Sequence, residues 1–550
     1  VPLLYLDIET TGLDPFTCEL VTLQLMTASG RSLIIKDPET LNAIKPKLEN
    51  NLIVGHNIKF DSKFLKYRYG ITLKNVYDTY IAEIALSGGL LAGRKGAALK
   101  DLVFRYCGVT LDKTEQCGFK KGEKLTAEQE EYAVNDLKYL PKIMQQQQAK
   151  IRALGLENVI ETEMKAIPAV VWLELSGINI DVEKVTEIKK KLEEQKNKAE
   201  ETLKKEFKPY EVNLNSPKQL KEALNRAGIA VKNTSSGEIS KFKGPVIEAL
   251  KDYKEASKLL STYAEKIQGF VNPVTKRVHS NFNQYGAKSG RFTSSSPNLQ
   301  QQPSKFTEWR SIYKAQPGNK IITADYSQIE LRILGQVSHD KEFLKAYNEG
   351  TDLHKLTASK VFKVPLEEVT KQQRSVSKTV NFGIAYGMWT GGLIGNLTKA
   401  GITIGTEEAE HIIKGFYKAY PAVSNYLYNI SEEGLRKTEV RNIAGRLMKF
   451  EAPRSDMERG SIKRESKNLP IQSLCADMVK IAMANIYLKL EPKGVKFINT
   501  VHDELVFECS EDIVEETAST VKEEMEKAGK IYLKDLPCVA EVTVSDCWEK

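Results

Sequence analysis

The alternation of apolar and polar positions is clearest near the C-terminus. There FINTV (497–501) and LVFEC (505–509) are two β-rich runs joined by His502, Asp503 and Glu504. So short a junction predicts a tight antiparallel hairpin, although Asn-Gly or Asp-Gly turn chemistry is missing. NKIITADYSQIEL (319–331) reads as another strand, with Ile321 and Ile322 as core positions and Asp325 closing KIITAD. At the other end of the chain, VPLLYLDIETTG predicts a strand ending in acids, and ELVTLQLMTA a second strand. NLIVGHNIKFDSKFLKYRYG begins as a strand and turns into amphipathic helix. TAEQEEYAVNDLKYLPKIMQQQQ predicts a helix capped by Thr126 with an acidic first turn, the QQQQ run marking its end or a linker.

Between about 157 and 270 the pattern is helical and lysine-rich, in EKVTEIKKKLEEQKNKAEETLKKEFK and IEALKDYKEASKLLSTYAEKIQ. A Ser/Lys/Gly/Pro stretch at 233–245 separates the two. The first ~145 residues are therefore expected to be α/β, and 278–550 α+β. No repeat of solenoid period is present.

Composition narrows the class. A chain of 550 residues, 41% hydrophobic and 28% charged, can bury several cores. Lys and Arg number 80 against 72 Asp and Glu, a net charge of +8 that permits a polyanionic partner without demanding one. The seven cysteines are scattered, with no CxxC pair, which argues against a disulfide framework or zinc site and for a reducing compartment. No signal peptide or long apolar run is seen, so an intracellular, soluble protein with no membrane association is expected. The chain begins at Val1, as a processed or trimmed product would.

Asp503 in the hairpin turn and Asp325 at a strand end are acids on rigid β elements. Two such acids could share two Mg²⁺ ions about 4 Å apart, activating a hydroxyl and stabilising a leaving oxygen. Between them, Arg374, Lys378, Phe382 and Tyr386 recur every four residues in RSVSKTVNFGIAYG. On a helix these form one stripe, with cations for a triphosphate and aromatics for a base. A basic surface helix with its aromatics tucked inward would give the same spacing. In the N-terminal region Asp7 and Glu9 lie at i and i+2 on one strand face, and HNIKFD adds Asp61. EEYAVND adds Tyr132 and Asp136 at i and i+4. Four acids and a tyrosine can hold two metals and orient a water for phosphodiester hydrolysis.

DYSQIELR, RSVSKTVNFGIAYG and VHDELV, in that order, resemble the three polymerase motifs of family A DNA polymerases, the bacterial DNA polymerase I family. SGRFTSSSPNLQQQP (289–303) and RESKNLPIQSLCADMVK (464–480) match further family segments. The three N-terminal acid segments resemble DEDDy 3′–5′ proofreading exonucleases. The resemblance implies an RNase H-like α/β exonuclease domain at 1–150 and an α+β right-hand polymerase domain at 151–550. Within the latter it implies a thumb at about 183–285, a palm at 157–182, 286–340 and 455–550, and fingers at 341–454. No 5′-nuclease domain fits within the chain.

It also implies roles. Asp325 and Asp503 would bind metal with the Tyr326 carbonyl, and Glu504 would lie nearby. Arg374, Lys378 and His354 would hold the triphosphate, Lys378 protonating the leaving pyrophosphate. Phe382 would cover sugar and base, Tyr386 would sit near the templating position, and Glu330 would exclude ribonucleotides, with Gln328 also at the nucleotide. Arg291 and Gln472 would touch the minor groove. Asn298, Gln300, Arg464, Asn468 and His502 would contact primer or template, and Asn57, Thr10 and Leu13 the terminal nucleotide at the exonuclease site. Cofactors would be Mg²⁺, two per site, with Mn²⁺ as substitute; partners would be primer–template DNA and dNTPs, bound by a monomer. A bacterial, phage or organellar setting would suit the family. Where the family usually has Gly-Thr-Ala after the glutamine matching Gln472, this chain has Ser473-Leu474-Cys475, and Gln301 replaces a common Asn. A single-subunit RNA polymerase, a reverse transcriptase, a scaffold without catalysis and a nuclease that merely positions DNA are the alternatives.

Overall fold

The computed structural model describes residues 2–111, 134–303 and 306–549. The chain forms two compact units. One is made of Val1–Gly177, Ser280–Gln300 and Gly318–Val544, the other of Ile178–His279, Gln301–Pro317 and Ser545–Lys550.

The larger unit contains two principal sheets. The first has β1 (Leu3–Thr10), β2 (Leu20–Thr27), β3 (Ser32–Ile35), β4 (Leu52–Gly55) and β5 (Asn75–Asp78), in the order β3-β2-β1-β4-β5. It is mixed, because β1 and β2 pair antiparallel while β1–β4 and β4–β5 are parallel. The parallel links need crossovers, which the helices Pro38–Asn50 and Lys59–Tyr69 supply. Two small hairpins follow, β6 (Asn281–Asn283) with β7 (Thr293–Ser295), and β9 (Glu439–Arg441) with β10 (Leu447–Lys449). The second principal sheet has β8 (Asn319–Tyr326), β11 (Lys496–Val501), β12 (Glu504–Ser510) and β13 (Ala540–Ser545), in the order β11-β12-β8-β13. Its core of Ile322, Ala324, Leu505 and Phe507 joins residues of the 35-residue helix Asp456–Leu490.

The smaller unit has its own core. Asp181 caps the helix Val182–Glu206, whose Leu203 packs with Leu220, Leu224, Ile247 and Leu250. The expected pair of lysine-rich helices is present, the second as Pro245–Leu259. The stretch expected to interrupt them carries a short helix, Ser236–Ile239.

Two expectations need correction. QQQQ neither ends a helix nor links domains: it lies inside the helix Leu140–Leu154, where Gln147 is fully buried. Its amide donates to Thr79 O and Glu83 Oε2 and accepts from Tyr77 Oη, so its polarity is satisfied internally. The run 319–331 is not one strand. It stops at Tyr326, passes Gln328 at φ 51° and becomes the helix Ile329–Ser338. The predicted Thr126 cap falls outside the described residues.

A fully buried ionic cluster ties distant segments of this unit. Glu163, on the helix Glu157–Ser176, accepts from Arg446 Nη2 at 2.6 Å and Lys480 Nζ at 2.5 Å. Arg446 also bonds Asp477 through Nε at 2.9 Å, and Asn442 donates to the other Asp477 oxygen at 2.8 Å. Burial alone would raise the Glu163 carboxyl, but Lys480 and Arg446 outweigh it and hold it below its ordinary range. Arg446→Met, which leaves two buried carboxylates short of a cation, is expected to lower stability by about 3–5 kcal/mol. Denaturant unfolding at pH 7 measures this. A depressed carboxyl stabilises the fold above its ordinary value of 4.5, and that contribution is lost as pH falls through its folded value. The gap between wild type and variant should therefore narrow in acid.

Two candidate metal-binding active sites

The C-terminal hairpin is tighter than expected, because Glu504, read as part of the junction, is the first residue of β12. β11 and β12 pair with Val501 opposite Glu504, leaving only His502 and Asp503 as the turn. His502 takes φ 57° and is exposed. β12 also pairs with β8, which sets Glu504 directly opposite Asp325. The Tyr326 amide donates to the Asp503 carbonyl at 3.4 Å, so the turn is fastened to the end of β8. Three acidic residues thus lie at one sheet end: Asp325 and Asp503 partly accessible, Glu504 only 1% exposed. Their shared field reaches Cys475, whose thiol is pushed well up by burial and then by the charges of Asp503, Glu330 and Asp325, with Arg291 opposing. Tyr326 turns its side chain into the core, its hydroxyl donating to Met525 O at 2.7 Å, which leaves its backbone as the part near the acids.

The helix Lys371–Ala385 carries the four-residue stripe, begun by a Thr370–Gln373 capping box. Arg374 and Lys378 are exposed, whereas Phe382 packs partly on the core and Tyr386 caps the helix, 37% exposed. The stripe therefore divides into a cationic end in solvent and an aromatic end half in the protein. Tyr386 Oη donates to Glu330, which also accepts from Arg291 Nη2 at 2.6 Å. Burial raises the Glu330 carboxyl and Arg291 opposes the shift. Gln328 accepts from Tyr347 Oη at 3.3 Å.

His354 lies in the first turn of the helix Leu353–Phe362, its Nδ1 2.9 Å from Asn381 Nδ2 and its ring 5.6 Å from that of Phe382. Burial, aided by Arg374 and Lys378 and opposed by Asp352, pushes its pKa down to about 4. Asp352 was not anticipated. It caps this helix through the amides of His354 and Lys355 and pairs with Arg374 Nε at 2.7 Å. The only local signal for it was an Asp placed as an N-cap.

Arg464, Asn468 and Gln472 recur at four-residue spacing along the helix Asp456–Leu490, on its accessible side. Ser473, Leu474 and Cys475 all point inward and are buried. Gln300 donates to Thr500 O at 3.1 Å, and the Asn298 side chain accepts from the Gln300 amide at 3.0 Å, tying that loop to β11.

In the first sheet, Asp7 and Glu9 face Gln24 and Thr22 across β1–β2, with an irregularity between Glu9 and Thr10. Asp61 sits in the first turn of the helix Lys59–Tyr69 and is 3% exposed. Its carboxyl is raised well above the ordinary value by burial and by Asp7, with Asp78 and Glu9 adding to the effect. Asp7 and Asp136 line one cleft of about 940 Å³ with His56 and Asn57. Asn57, at φ 57°, donates its amide to Asp78 Oδ1 at 2.9 Å. Asp78 was also missed: it caps the next helix, and burial lifts it to about 6 despite its backbone hydrogen bonds. Thr10 Oγ1 donates to Gly12 O at 2.7 Å, and Leu13 on the same loop is 82% exposed. Tyr132 lies outside the described residues.

Among the described residues, no group of three or more His, Cys, Asp and Glu is gathered into a ready cation cage. The donors nevertheless fit a hard divalent ion. All are oxygens, they accumulate negative charge that a cation would relieve, and Asp61 Oδ1 is buried with no hydrogen-bond partner.

Known proteins match the chain in two parts. The family model for DNA polymerase family A matches residues 182–550, and that for 3′-5′ exonuclease matches residues 1–152. DNA polymerase I of Aquifex aeolicus is 30% identical over all of this chain and 96% of its own length. DNA polymerase I of Pseudomonas aeruginosa is also 30% identical over the whole chain, which spans 63% of that relative. The polymerase domain of Pol1 from M. smegmatis, solved in complex with DNA primer-template and dNTP, superposes with a TM-score of 0.86. It is 25% identical, and the match covers 99% of this chain and 95% of that one.

The low pKa of His354 gives a direct check. In an NMR titration of the six histidines, the His354 imidazole should remain neutral from pH 8 to about pH 5, and its unresponsive signal should be the one missing from His354→Asn.

Proposed function

Because the chain belongs to DNA polymerase family A, with a 3′-5′ exonuclease domain at its N-terminus, we propose that it extends a DNA primer along a template with dNTPs and trims mispaired 3′ ends. The observation that carries the reading is the alignment of Asp325 with Glu504, the Asp503 turn bonded onto the end of β8. Family A polymerase and exonuclease domains are generally metal-dependent. Mg²⁺ ions held by Asp325, Asp503 and the Tyr326 carbonyl, and by Asp7, Glu9, Asp61 and Asp136, would neutralise developing charge and activate the attacking oxygen.

The remaining groups do positional and electrostatic work. Arg374 and Lys378, exposed on one face, receive the triphosphate, and Asp352 holds Arg374 in place before it arrives. His354 is held neutral before the triphosphate arrives and is then available as a hydrogen-bond donor. The primer 3′ oxygen forms a bond to the α-phosphorus as the bond to the bridging oxygen breaks. Lys378 supplies a proton to the departing pyrophosphate. Glu330, fixed by Arg291 and Tyr386, crowds the 2′ side of the sugar, where a ribose hydroxyl would have to displace a half-buried ion pair. Arg464, Asn468 and Gln472 line the duplex from the accessible face of one helix, and the lysine-rich smaller unit serves as the thumb, gripping phosphates without reading sequence.

At the exonuclease site, Asp7, Glu9, Asp61 and Asp136 direct a water at the terminal phosphodiester, Tyr132 orienting it. Asn57, Thr10 and Leu13 hold the last nucleotide.

Asp503→Ala is expected to reduce primer extension in Mg²⁺ by about 10²–10³-fold or more while DNA binding persists. Extension at near wild-type rate would refute the assignment. Asp7→Ala combined with Glu9→Ala should abolish trimming of single-stranded DNA and spare extension, because Asp7 and Glu9 lie on a different sheet from Asp325 and Glu504. Retained trimming would remove the exonuclease reading.

A further inference from the structure

Asn381 lies about two turns beyond Arg374 on the helix Lys371–Ala385 and so returns to nearly the same face. Unlike Arg374 and Lys378, it is fully buried, at 0% exposure. The start of the helix Leu353–Phe362 lies against it, and there its Nδ2 meets His354 Nδ1 at 2.9 Å. Its Oδ1 is buried with no hydrogen-bond partner. An amide oxygen left in that state costs stability, which an apolar side chain of similar size would avoid. Among the described residues, the one side-chain hydrogen bond that Asn381 makes is to the imidazole.

That imidazole is held at several points. The His354 amide donates to Asp352 at 2.9 Å, Asp352 is paired with Arg374, and the ring lies 5.6 Å from that of Phe382. Burial, helped by Arg374 and Lys378, keeps the ring neutral, so it carries one N–H and one lone pair. Nδ1 faces Asn381, and Nε2 makes no hydrogen bond to the described residues. With Nδ2 donating to Nδ1, the lone pair lies on Nδ1 and the proton on Nε2. An amide turned over would offer its oxygen to a protonated Nδ1, and Nε2 would become a bare acceptor. Phosphate oxygens at neutral pH also only accept, so that tautomer could not bond them.

We propose that Asn381 is a positioning residue: its buried amide fixes His354 in the tautomer with the proton on Nε2, so that the ring donates its single N–H to the triphosphate of the incoming nucleotide. This rests on the polymerase reading. The unpartnered Oδ1 is then the cost of setting a proton on a neighbouring ring, since a leucine at 381 would fill the space and leave the tautomer free.

The full chain is labelled with ¹⁵N at histidine and read by long-range proton–nitrogen correlation at neutral pH. The His354 ring, identified by its absence from His354→Asn, should show a bare Nδ1 and a protonated Nε2. In Asn381→Leu the two tautomers should mix. In primer extension, Asn381→Leu should raise the KM for dNTP about tenfold and leave kcat nearly unchanged, as loss of a contact made equally in ground and transition states requires. His354→Ala should show a similar rise, and adding Asn381→Leu to it should do nothing further, because the amide acts only through the ring. A side chain that merely packs would add its own loss. A wild-type ring protonated at Nδ1 overturns the proposal, and this is read without any variant at 381. An unchanged KM in Asn381→Leu, or a loss that adds to that of His354→Ala, overturns it as well. A wild type with the expected tautomer that fails to extend a primer overturns the polymerase reading instead.

Discussion

The cluster of Glu163, Arg446, Asp477 and Lys480 is the constraint on which the rest of the larger unit depends. Removing four charges from water is costly, and such a cluster survives only if every charge is met by others at close range. It is met here by segments 283 residues apart in sequence, since Arg446 reaches Glu163 directly. Burial pushes Lys480 down to about 8, against the pull of Glu163 and with Arg446 assisting. Lys480 spends a further hydrogen bond on the Gly290 carbonyl at 2.7 Å. Gly290 is at φ 79°, and a Cβ there would meet Arg446 Nη1 at 2.8 Å, so any other residue at this loop position would be strained and would displace the buried guanidinium. The next residue is Arg291, which pairs with Glu330, which in turn accepts from Tyr386. The setting of Glu330, the carboxylate proposed to face the sugar, is therefore linked through Arg291 to the buried charge cluster.

What was legible in the sequence is what depends on neighbours along the chain. The two-residue turn between β11 and β12 follows from two apolar runs with almost nothing between them. Asp7 and Glu9 share a face because strands have period two, and Arg374 to Tyr386 align because helices nearly repeat every four residues. The ionic cluster was not legible. Glu163 sits in an ordinary helical run and Arg446 beside a short strand, and no local pattern distinguishes them from surface charges. QQQQ was misread for the same reason. Its composition is that of a linker, yet Tyr77, Thr79 and Glu83 supply partners for a buried amide that local sequence cannot reveal. Asp352 and Asp78 look like plain helix caps and are that, but each also fixes a neighbour at a candidate site, Arg374 in one case and Asn57 in the other.

The helix Glu157–Ser176 links the two sites physically. About three turns beyond Glu163 it presents Glu174, 3% exposed, which takes Lys59 Nζ at 2.5 Å and Lys63 Nζ at 2.7 Å. Lys59 also donates to Asn281 and to the Phe282 carbonyl, while the Phe282 amide donates back to Glu174. Lys59 opens the helix that carries Asp61 two residues later, and Phe282 lies on β6, on the strand side of the loop that holds Gly290. One end of this helix therefore fastens the start of the helix that carries Asp61, and the other is tied through Lys480 and Gly290 to the loop of Arg291. Burial holds Lys59 low and is outweighed at Glu174 by the two lysines, which keep its carboxyl below the ordinary range. Breaking one of these contacts leaves a buried charge without its partner, a penalty larger than the contact itself is worth. The two candidate sites are thereby tied to carboxylates on a single helix, at positions where neither could be replaced by a neutral residue without releasing its lysines or arginine.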